Sequence, residues 1–179
     1  MVRKILLSPR KFETILNRLA CQLIEKHRDF KNTVLIGLQP RGIYLLERLL
    51  KILKESYDIN NISYGKLDTT FFRDDFRRSE RPLSANSTEM NVLVEKKLVV
   101  IIDDVLYTGR SVRAALTAID SYGRPKEIEL LVLIDRRFSR HLPIQPDYLG
   151  TQIDALQGDR VKVEWKDSGS EDIVYLEKK

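Results

Sequence analysis

Residues 98–116 constrain the fold of this chain more than any other stretch, and they read LVVIIDDVLYTGRSVRAAL. The first five residues are apolar and mostly β-branched, without alternation, which is typical of a strand covered on both faces in a parallel sheet. The apolar run stops at Asp103 and Asp104, and a turn containing Thr108 and Gly109 precedes a predicted helix. We therefore predict a strand, a turn and a helix, with the acidic pair at the carboxyl end of the strand.

The acidic pair and the turn together indicate a ligand. Two adjacent carboxylates at a strand end repel each other, so they need a partner such as ribose hydroxyls, a hydrated divalent cation or a nearby arginine. In an open α/β sheet this edge is where ligands bind, and a helix start can hold a phosphate. The pattern favours a sugar phosphate. The alternative is structural, with Asp103 as a strand cap and Asp104 as a solvated loop residue.

Length and composition exclude several classes of protein. The chain has 179 residues, of which 42% are hydrophobic, and we predict a single domain at residues 1–179. No apolar run approaches the roughly 20 residues that span a bilayer, and the N-terminal apolar stretch is too short for a signal peptide, so we expect a cytoplasmic protein without a membrane partner. The single cysteine and two histidines exclude an intrachain disulfide and a zinc-type cluster.

The net charge of +5 indicates a surface that attracts polyanions, whether a phosphorylated small molecule or RNA. Basic residues are spread along the whole chain rather than gathered in a tail, so most of them are expected to be ordinary solvated residues. The sequence contains neither a GxxxxGK[ST] nor a GxGxxG motif, which disfavours nucleotide hydrolases and Rossmann dehydrogenases.

Outside this stretch the hydrophobic pattern alternates between strands and helices. The predicted helices are residues 8–27, 43–56 and 112–122, the first capped by Ser8. The predicted strands are residues 33–38, 62–72 and 128–134. Residues 142–150 are predicted as a loop, and residues 161–165 with 172–176 as a terminal hairpin around the turn 167–169. This order predicts an α/β fold with a doubly wound parallel sheet and a small C-terminal β-hairpin.

Two further segments carry candidate functional residues. After strand 33–38, the loop Gln39, Pro40, Arg41, Gly42 offers a cation, helix-start N–H groups and a glycine that lets the backbone approach a ligand, which suits a pyrophosphate. Residues 73–97 show no core-facing periodicity, and so long a loop is usually functional or disordered. We interpret them as a flexible hood over the active site, the alternative being a frayed insertion.

The motifs resemble those of a known family. VVIIDDVLYTGRS resembles the phosphoribosyl pyrophosphate (PRPP) motif of type I phosphoribosyltransferases. The variant DDVLYTGRSVRAAL is similar to that of the PyrR family, the pyrimidine-operon attenuation regulators that are also uracil phosphoribosyltransferases. The similarity continues, in the order of the family, through LIGLQPRGIYL, FFRDDF, YGRPKEIELLVLIDR and LPIQPDYLG, and covers most of the chain. It predicts the type I phosphoribosyltransferase fold.

The resemblance implies that PRPP and uracil react to give uridine monophosphate (UMP) and pyrophosphate, with Mg²⁺ held mainly by PRPP and no dedicated protein ligands. The catalytic residues that it implies are Asp103, Asp104, Arg73 and Asp74. The implied PRPP and phosphate ligands are Val105, Leu106, Tyr107, Thr108, Gly109, Arg110 and Ser111. The implied pyrophosphate loop is Gln39, Pro40, Arg41 and Gly42, and the implied base-binding residues are Asp135 and Arg136.

The sequence departs from the family after Arg136. Residues 137–141, RFSRH, make this loop one residue longer than usual and lack the glycine that the family carries, so the base pocket is expected to be reshaped. Phe138 is a candidate for stacking on a base or covering the pocket, and His141 for a general base or a surface residue. The family also implies a messenger RNA leader as a partner and a homodimer or higher homo-oligomer. The alternatives are an RNA-binding regulator with weak or no catalysis, and a purine phosphoribosyltransferase.

Overall fold

The computed structural model describes residues 2–72, 87–156, 158–167 and 171–178. The strands are β1 (Val2–Leu7), β2 (Thr33–Leu38), β3 (Ser63–Leu67), β4 (Leu98–Leu106), β5 (Glu127–Arg137), β6 (Tyr148–Asp154), β7 (Arg160–Glu164) and β8 (Ile173–Lys178). The helices are α1 (Pro9–His27), α2 (Gly42–Tyr57) and α3 (Arg110–Ile119). Short 3₁₀ turns follow at Thr70–Phe72 and Asp120–Tyr122. No helix in these described ranges is long and apolar enough to cross a membrane.

The larger sheet has five parallel strands in the order β3-β2-β4-β5-β6. From β2 the chain moves outward to β3, and from β4 it moves in the opposite direction through β5 to β6. The order therefore reverses between β2 and β4, and a crevice opens at the carboxyl ends of the strands where such a reversal occurs. The predicted doubly wound α/β fold is confirmed, and this reversal positions the site.

Apolar residues cover the five-stranded sheet on both faces, which explains its unbroken apolar strands. Along β2, Leu35 faces the core formed with α1 and α2, while Val34 and Ile36 face the core formed with α3. The first core contains leucines of both helices, and the second contains small or β-branched residues of α3 such as Ala115 and Ala118. These side chains of α3 share the second core with residues of β4 and β5 such as Ile101 and Val132.

A second, antiparallel sheet has three strands in the order β1-β8-β7. The predicted terminal hairpin is confirmed as β7 and β8, while β1 was not predicted and adds a third strand to it. Residues 168–170 of its turn lie outside the described residues. Trp165 joins this sheet to the helices, with ring centroids 5.4 Å from Phe12 and 5.7 Å from Tyr44.

Two predicted segments differ from the structure at the margins of the large sheet. The strand predicted for residues 62–72 ends at Leu67, because the Asp68 carboxylate accepts hydrogen bonds from the N–H and hydroxyl of Thr70 and turns the chain. The prediction of a loop for residues 142–150 was wrong for the last three of these residues. Pro143 and Pro146 lie in the loop, but from Tyr148 onward the chain pairs with β5 as the edge strand β6.

A histidine near a helix end is expected on the surface, where a positive side chain is favoured, but His27 at the end of α1 is buried. Its Nδ1 lies 2.9 Å from the Thr33 hydroxyl and its Nε2 lies 2.9 Å from the Glu129 carboxylate. The Tyr148 hydroxyl donates to the same carboxylate at 2.9 Å, and Lys26 is ion-paired with it. The end of α1 covers the amino-terminal ends of β2, β5 and β6, so this network closes the sheet on the side opposite the crevice.

The hood predicted for residues 73–97 does not extend to residue 97. Residues 87–97 are described, and they lie against β3: Glu89 and Lys66 exchange backbone hydrogen bonds of 2.8 and 2.9 Å. Met90 and Val94 are buried in the core on the α3 face of the sheet. These contacts exclude residues 87–97 from a flexible hood. Residues 73–86, which include Arg73 and Asp74, lie outside the described residues.

Candidate active site

The acidic pair lies within β4, not after it. The last pair between β2 and β4 joins Gly37 to Ile102, whereas β4 continues to pair with β5 as far as Leu106. The prediction that the strand ends at Asp103 was therefore wrong. The pairing with β5 keeps the backbone extended, so Asp103 and Asp104 lie beside the crevice left where β2 has ended.

Burial raises the free-energy cost of ionising the two carboxyl groups of Asp103 and Asp104. The backbone N–H of Asp104 donates to Asp103 Oδ1 at 2.9 Å. Asp104 is 5% exposed, and its buried Oδ2 has no hydrogen-bond partner among the described residues. Burial and the neighbouring Asp104 charge raise the pKa of Asp103 well above its ordinary value, and burial raises the pKa of Asp104 against the opposing charge of Arg41. An unsatisfied buried carboxylate oxygen indicates a place for a donor from a ligand.

The loop after β2 forms a cavity of about 250 Å³ with the acidic pair. Its lining residues are Leu38, Gln39, Pro40, Arg41, Thr69, Thr70, Asp103, Asp104, Val105 and Ser111. The Gln39–Pro40 peptide bond is cis. Gly42 is not among the lining residues: a Cβ atom there would lie 2.3 Å from the Ile102 carbonyl oxygen. The glycine therefore permits close packing of α2 on β4, rather than the approach of a ligand that we had predicted.

The turn between β4 and α3 forms a second cavity, of about 150 Å³. Its lining residues are Asp103, Val105, Leu106, Tyr107, Thr108, Gly109, Arg110, Ser111 and Val112. Gly109 is the residue before α3 and has φ of 89°, a left-handed conformation that favours glycine. Asp103 lines both cavities, so the two cavities meet at the acidic pair.

The end of β5 lies beside the turn that follows β4. The carboxylate of Asp135 accepts hydrogen bonds from Arg140 and, at 3.0 Å, from Gln152. Arg136 is 7% exposed, and its guanidinium lies 4.1 Å from the centre of the Tyr107 ring. One of its terminal nitrogens donates to the Asp159 carbonyl at 3.0 Å, while its buried Nε has no partner among the described residues.

A third cavity, of about 580 Å³, lies beyond Asp135 and Arg136 and is walled by Pro143, Ile144 and Pro146. Phe138 has φ of 66°, in the left-handed region that non-glycine residues rarely adopt. Its side chain is 78% exposed. The loop thus holds a non-glycine residue in a left-handed conformation and presents its aromatic ring to solvent.

Comparison with known proteins identifies the family. The model of the phosphoribosyl transferase domain matches residues 3–167. A protein of Enterococcus faecalis described as bifunctional protein PyrR is 37% identical over 178 residues, covering 99% of this chain and 98% of the relative. The corresponding protein of Synechocystis is 39% identical over 171 residues, covering 96% of this chain and 94% of the relative. The chain belongs to the PyrR family. It is a phosphoribosyltransferase.

Solved structures support the fold of this PyrR-family protein. A hypoxanthine phosphoribosyltransferase of Staphylococcus aureus superposes with a TM-score of 0.65 at 22% identity, covering 88% of this chain and 80% of that one. A hypoxanthine phosphoribosyltransferase of Trypanosoma cruzi superposes with a TM-score of 0.70 at 19% identity, covering 97% and 91%. At these identities the likeness establishes the type I phosphoribosyltransferase fold.

Four residues at the site of this PyrR-family chain were not predicted. Thr69 and Thr70 line the cavity beside Arg41, whereas the sequence predicts a strand over residues 62–72. Arg140 and Gln152 hold Asp135, and Gln152 lies on the unpredicted strand β6. The signal that could have found the threonines is their place just after strand β3, since polar residues that bind ligands collect at the carboxyl edge of such a sheet.

Proposed function

We propose that this chain transfers the phosphoribosyl group of PRPP to uracil, giving UMP and pyrophosphate. The observation that carries the proposal is that Asp103 lines both the cavity at residues 107–111 and the cavity at residues 39–41. PRPP has a phosphate at one end, a pyrophosphate at the other and two ribose hydroxyls between them. One ligand of this shape fills both cavities while its hydroxyls lie over the acidic pair.

In this proposal Asp103 and Asp104 accept hydrogen bonds from the ribose hydroxyls. The unpartnered Asp104 Oδ2 then gains the donor that it lacks. As the bond between C1′ and the pyrophosphate oxygen breaks, positive charge develops on the ribose ring. The two carboxylates stabilise that charge because they are fixed in a largely buried place before the reaction begins.

The two phosphate groups bind at opposite ends of the site. The 5′-phosphate occupies the turn formed by Val105, Leu106, Tyr107, Thr108, Gly109, Arg110 and Ser111, at the start of α3, where helix N–H groups and the helix dipole favour an anion. The pyrophosphate occupies the loop of Gln39, Pro40 and Arg41, with Gly42 fixing that loop on β4. Arg73 and Asp74 are proposed to reach the reacting groups from the segment beyond Phe72.

Mg²⁺ is proposed as the cofactor, bound together with PRPP. In the described part of the chain, no cluster of three or more His, Cys, Asp or Glu side chains is placed to hold a metal ion. The donor set of the acidic pair fits hydroxyls of the sugar and waters of a hydrated Mg²⁺, a cation that keeps several waters and is held largely by substrate phosphates. When bound, the ion neutralises charge on the departing pyrophosphate.

The base is proposed to bind at the end of β5, where Arg136 and Asp135 lie beside the phosphate turn. Uracil follows from the resemblance of the sequence to uracil phosphoribosyltransferases. Its N1 forms the new bond to C1′, its N1 proton leaves to solvent or a nearby base, and pyrophosphate departs. The bond to the leaving oxygen breaks as the bond to nitrogen forms, so the reaction balances without another reactant.

A panel of nucleobases tests this proposal. The protein is incubated with PRPP, Mg²⁺ and uracil, cytosine, hypoxanthine, guanine or adenine in turn, and pyrophosphate release is followed. Release with uracil well above the rate without a base supports the proposal. Release with hypoxanthine or guanine in place of uracil would make the chain a purine phosphoribosyltransferase, and no release with any base would overturn the assignment of an active enzyme.

We propose a second function, binding of a messenger RNA leader, because relatives of this chain are described as bifunctional and the net charge is +5. A regulator binds RNA differently in its liganded state, so UMP should change the affinity. The test is a competition titration between a pyrimidine-operon leader and a scrambled RNA at physiological ionic strength, because non-specific attraction falls steeply with salt. Equal affinity for both RNAs, unaffected by UMP, would overturn the regulatory function and leave catalysis untouched.

A further inference from the structure

Arg140 joins the two loops that flank the site. Its guanidinium donates through Nη1 to the carbonyl oxygen of Tyr107 at 2.6 Å, and through Nη2 to the carboxylate of Asp135. The side chain of Gln152 holds the other oxygen of that carboxylate at 3.0 Å. Asp135 is 5% exposed, so the guanidinium is anchored on a buried, fixed anion.

The next residue repeats this attachment through the backbone. The N–H of His141 donates to the carbonyl oxygen of Thr108 at 3.0 Å. Two consecutive carbonyl groups of the turn, those of Tyr107 and Thr108, are therefore both drawn towards residues 140–141. Close packing accompanies these bonds, since a Cβ atom at Gly109 would lie 3.2 Å from Ile144 Cδ1.

These contacts fix the direction of the neighbouring N–H groups. The peptide unit is planar and trans, so its N–H points away from its C=O. When Arg140 holds the Tyr107 carbonyl, the Thr108 N–H points to the opposite side, and when His141 holds the Thr108 carbonyl, the Gly109 N–H does the same. Both residues line the cavity of about 150 Å³ at the start of α3. Aligned backbone N–H groups of this kind form anion-binding concavities.

We propose that Arg140 is a positioning residue that orients the backbone N–H groups of Thr108 and Gly109 towards the 5′-phosphate. Arg140 touches no reacting atom in this proposal and acts through the carbonyl of Tyr107. The inference rests on the proposed function, because it needs the sugar phosphate to bind in this turn. It also assigns to Asp135 the holding of Arg140, in addition to the base-binding role predicted from the sequence.

The experiment measures two inhibition constants against PRPP in the full-length protein. Ribose 5-phosphate reports on the phosphate turn, and pyrophosphate reports on the loop of residues 39–41. Arg140→Met should raise the inhibition constant of ribose 5-phosphate and the KM of PRPP roughly tenfold, the loss expected for a charge-assisted hydrogen bond. The inhibition constant of pyrophosphate should stay within about threefold, because Arg140 does not contact the loop of residues 39–41, and kcat should do so because the interaction is made equally in ground and transition states. The KM of uracil should rise less than the KM of PRPP, because Gln152 still holds Asp135.

Arg137→Met is the matched control. Arg137 is the last residue of β5 and forms an exposed ion pair with Asp154, with bonds of 2.5 and 2.7 Å. The variant Arg137→Met removes the same charge from the same region and should leave the inhibition constant of ribose 5-phosphate unchanged. Arg140→Lys keeps the charge but replaces the two separate nitrogens of the guanidinium by one, so it should give an intermediate constant. It carries the test if Arg140→Met does not fold.

Three results would overturn the proposal. The first is an unchanged ribose 5-phosphate constant in both variants of Arg140. The second is an equal rise in Arg137→Met, which would show an effect of net charge alone. The third is a rise in the KM of uracil with no change for ribose 5-phosphate, which would place Arg140 in the base pocket. A wild-type protein that binds neither PRPP nor ribose 5-phosphate would instead overturn the proposed function, and this inference with it.

Discussion

The backbone N–H of Asp104 donates to the side chain of Asp103 at 2.9 Å, while the buried Oδ2 of Asp104 has no partner among the described residues. This contact gives the pair only a peptide dipole, and the charge of Arg41 offsets burial only in part, since the pKa of both carboxyl groups stays raised. The arrangement therefore lowers the stability of the ligand-free protein and holds two carboxylates ready for a ligand. Such a conflict between stability and function is expected at active sites.

We expect the double variant Asp103→Asn with Asp104→Asn to abolish turnover and to raise the free energy of unfolding without ligand at pH 7. The gain should be roughly 1 kcal/mol, the order associated with an unsatisfied buried polar group. Chemical denaturation and pyrophosphate release are the two measurements. A destabilised variant would show that the carboxylates support the fold, and full activity in the variant would contradict the PRPP assignment.

The same variant gives a pH dependence with a defined sign. The pKa values of Asp103 and Asp104 are raised in the folded protein, mainly by burial, so their folded state favours the protonated form. Wild-type stability is therefore retained below the ordinary pKa of about 3.9 and is lost as the pH rises through the folded pKa values. The stability advantage of the double variant should be largest near neutral pH and disappear towards pH 4. An advantage that grows on acidification would contradict the raised pKa values.

Gly42→Ala should destabilise the protein by several kcal/mol and greatly reduce turnover. The added Cβ would lie 2.3 Å from the Ile102 carbonyl oxygen and 3.0 Å from the Asp103 Cα, so α2 must move away from β4 just beside the acidic pair. Gly65→Ala is the control, because its Cβ would meet the movable sulfur of Met90 at 2.6 Å. Thermal denaturation and steady-state kinetics measure both. Equal losses in the two variants would contradict a specific role for the contact with β4.

His27→Ala should cost about 2–4 kcal/mol of unfolding free energy, because it removes a buried partner of Glu129 and Thr33 and leaves a cavity. The other histidine provides the control: His141 is exposed, and His141→Ala keeps its backbone N–H. Its stability should stay within about 0.5 kcal/mol of wild type. The measurement is urea denaturation, and similar midpoints for the two variants would contradict a structural role for the buried network.

Arg73→Ala should lower the rate of the chemical step far more than it weakens the binding of PRPP to the enzyme, if Arg73 contacts the substrate mainly in the transition state. Single-turnover kinetics and equilibrium binding of PRPP separate the two effects. Arg73 lies outside the described residues, so the prediction rests on its place in the motif FFRDDF. An unchanged turnover number with weaker PRPP binding would instead assign Arg73 to an ordinary ground-state contact.

The sequence predicted the centre of the fold better than its margins. The buried strands β2, β4 and β5 have unbroken apolar runs, and the helices that follow them have regular periodicity, so both signals are strong. Strand β6 begins two residues after Pro146 and has alternating burial, so its short pattern resembled a loop. Strand β1 has only six residues, too few for a clear hydrophobic pattern. Its pairing with β8 depends on residues far along the chain.

The site was predictable where chemistry follows from residue type, and less so where it follows from tertiary contact. The sequence suggested that carboxylates, a turn and a basic loop meet at one edge, and the structure places the described ones around two adjoining cavities. It gave no indication that Arg140 reaches Tyr107, because a loop arginine looks like a solvated residue. The surface position expected for His27 was wrong for a similar reason. The sequence around a polar residue at a helix end does not show that its partners are buried residues at the starts of β2 and β5.

Strand β6 lies at the edge of the described sheet, whereas β4 has a neighbouring strand on each side. A change in the length of residues 138–147 therefore disturbs one hydrogen-bonded ladder, while a similar change next to β4 would disturb two. The part of the site on β4 is consequently less tolerant of changes in loop length than the part formed by the loop between β5 and β6. A gene duplicate of this chain can therefore exchange its nucleobase by mutation in residues 138–147 only if residues 140 and 141 keep their bonds to the carbonyl groups of Tyr107 and Thr108, because the phosphate turn depends on those bonds.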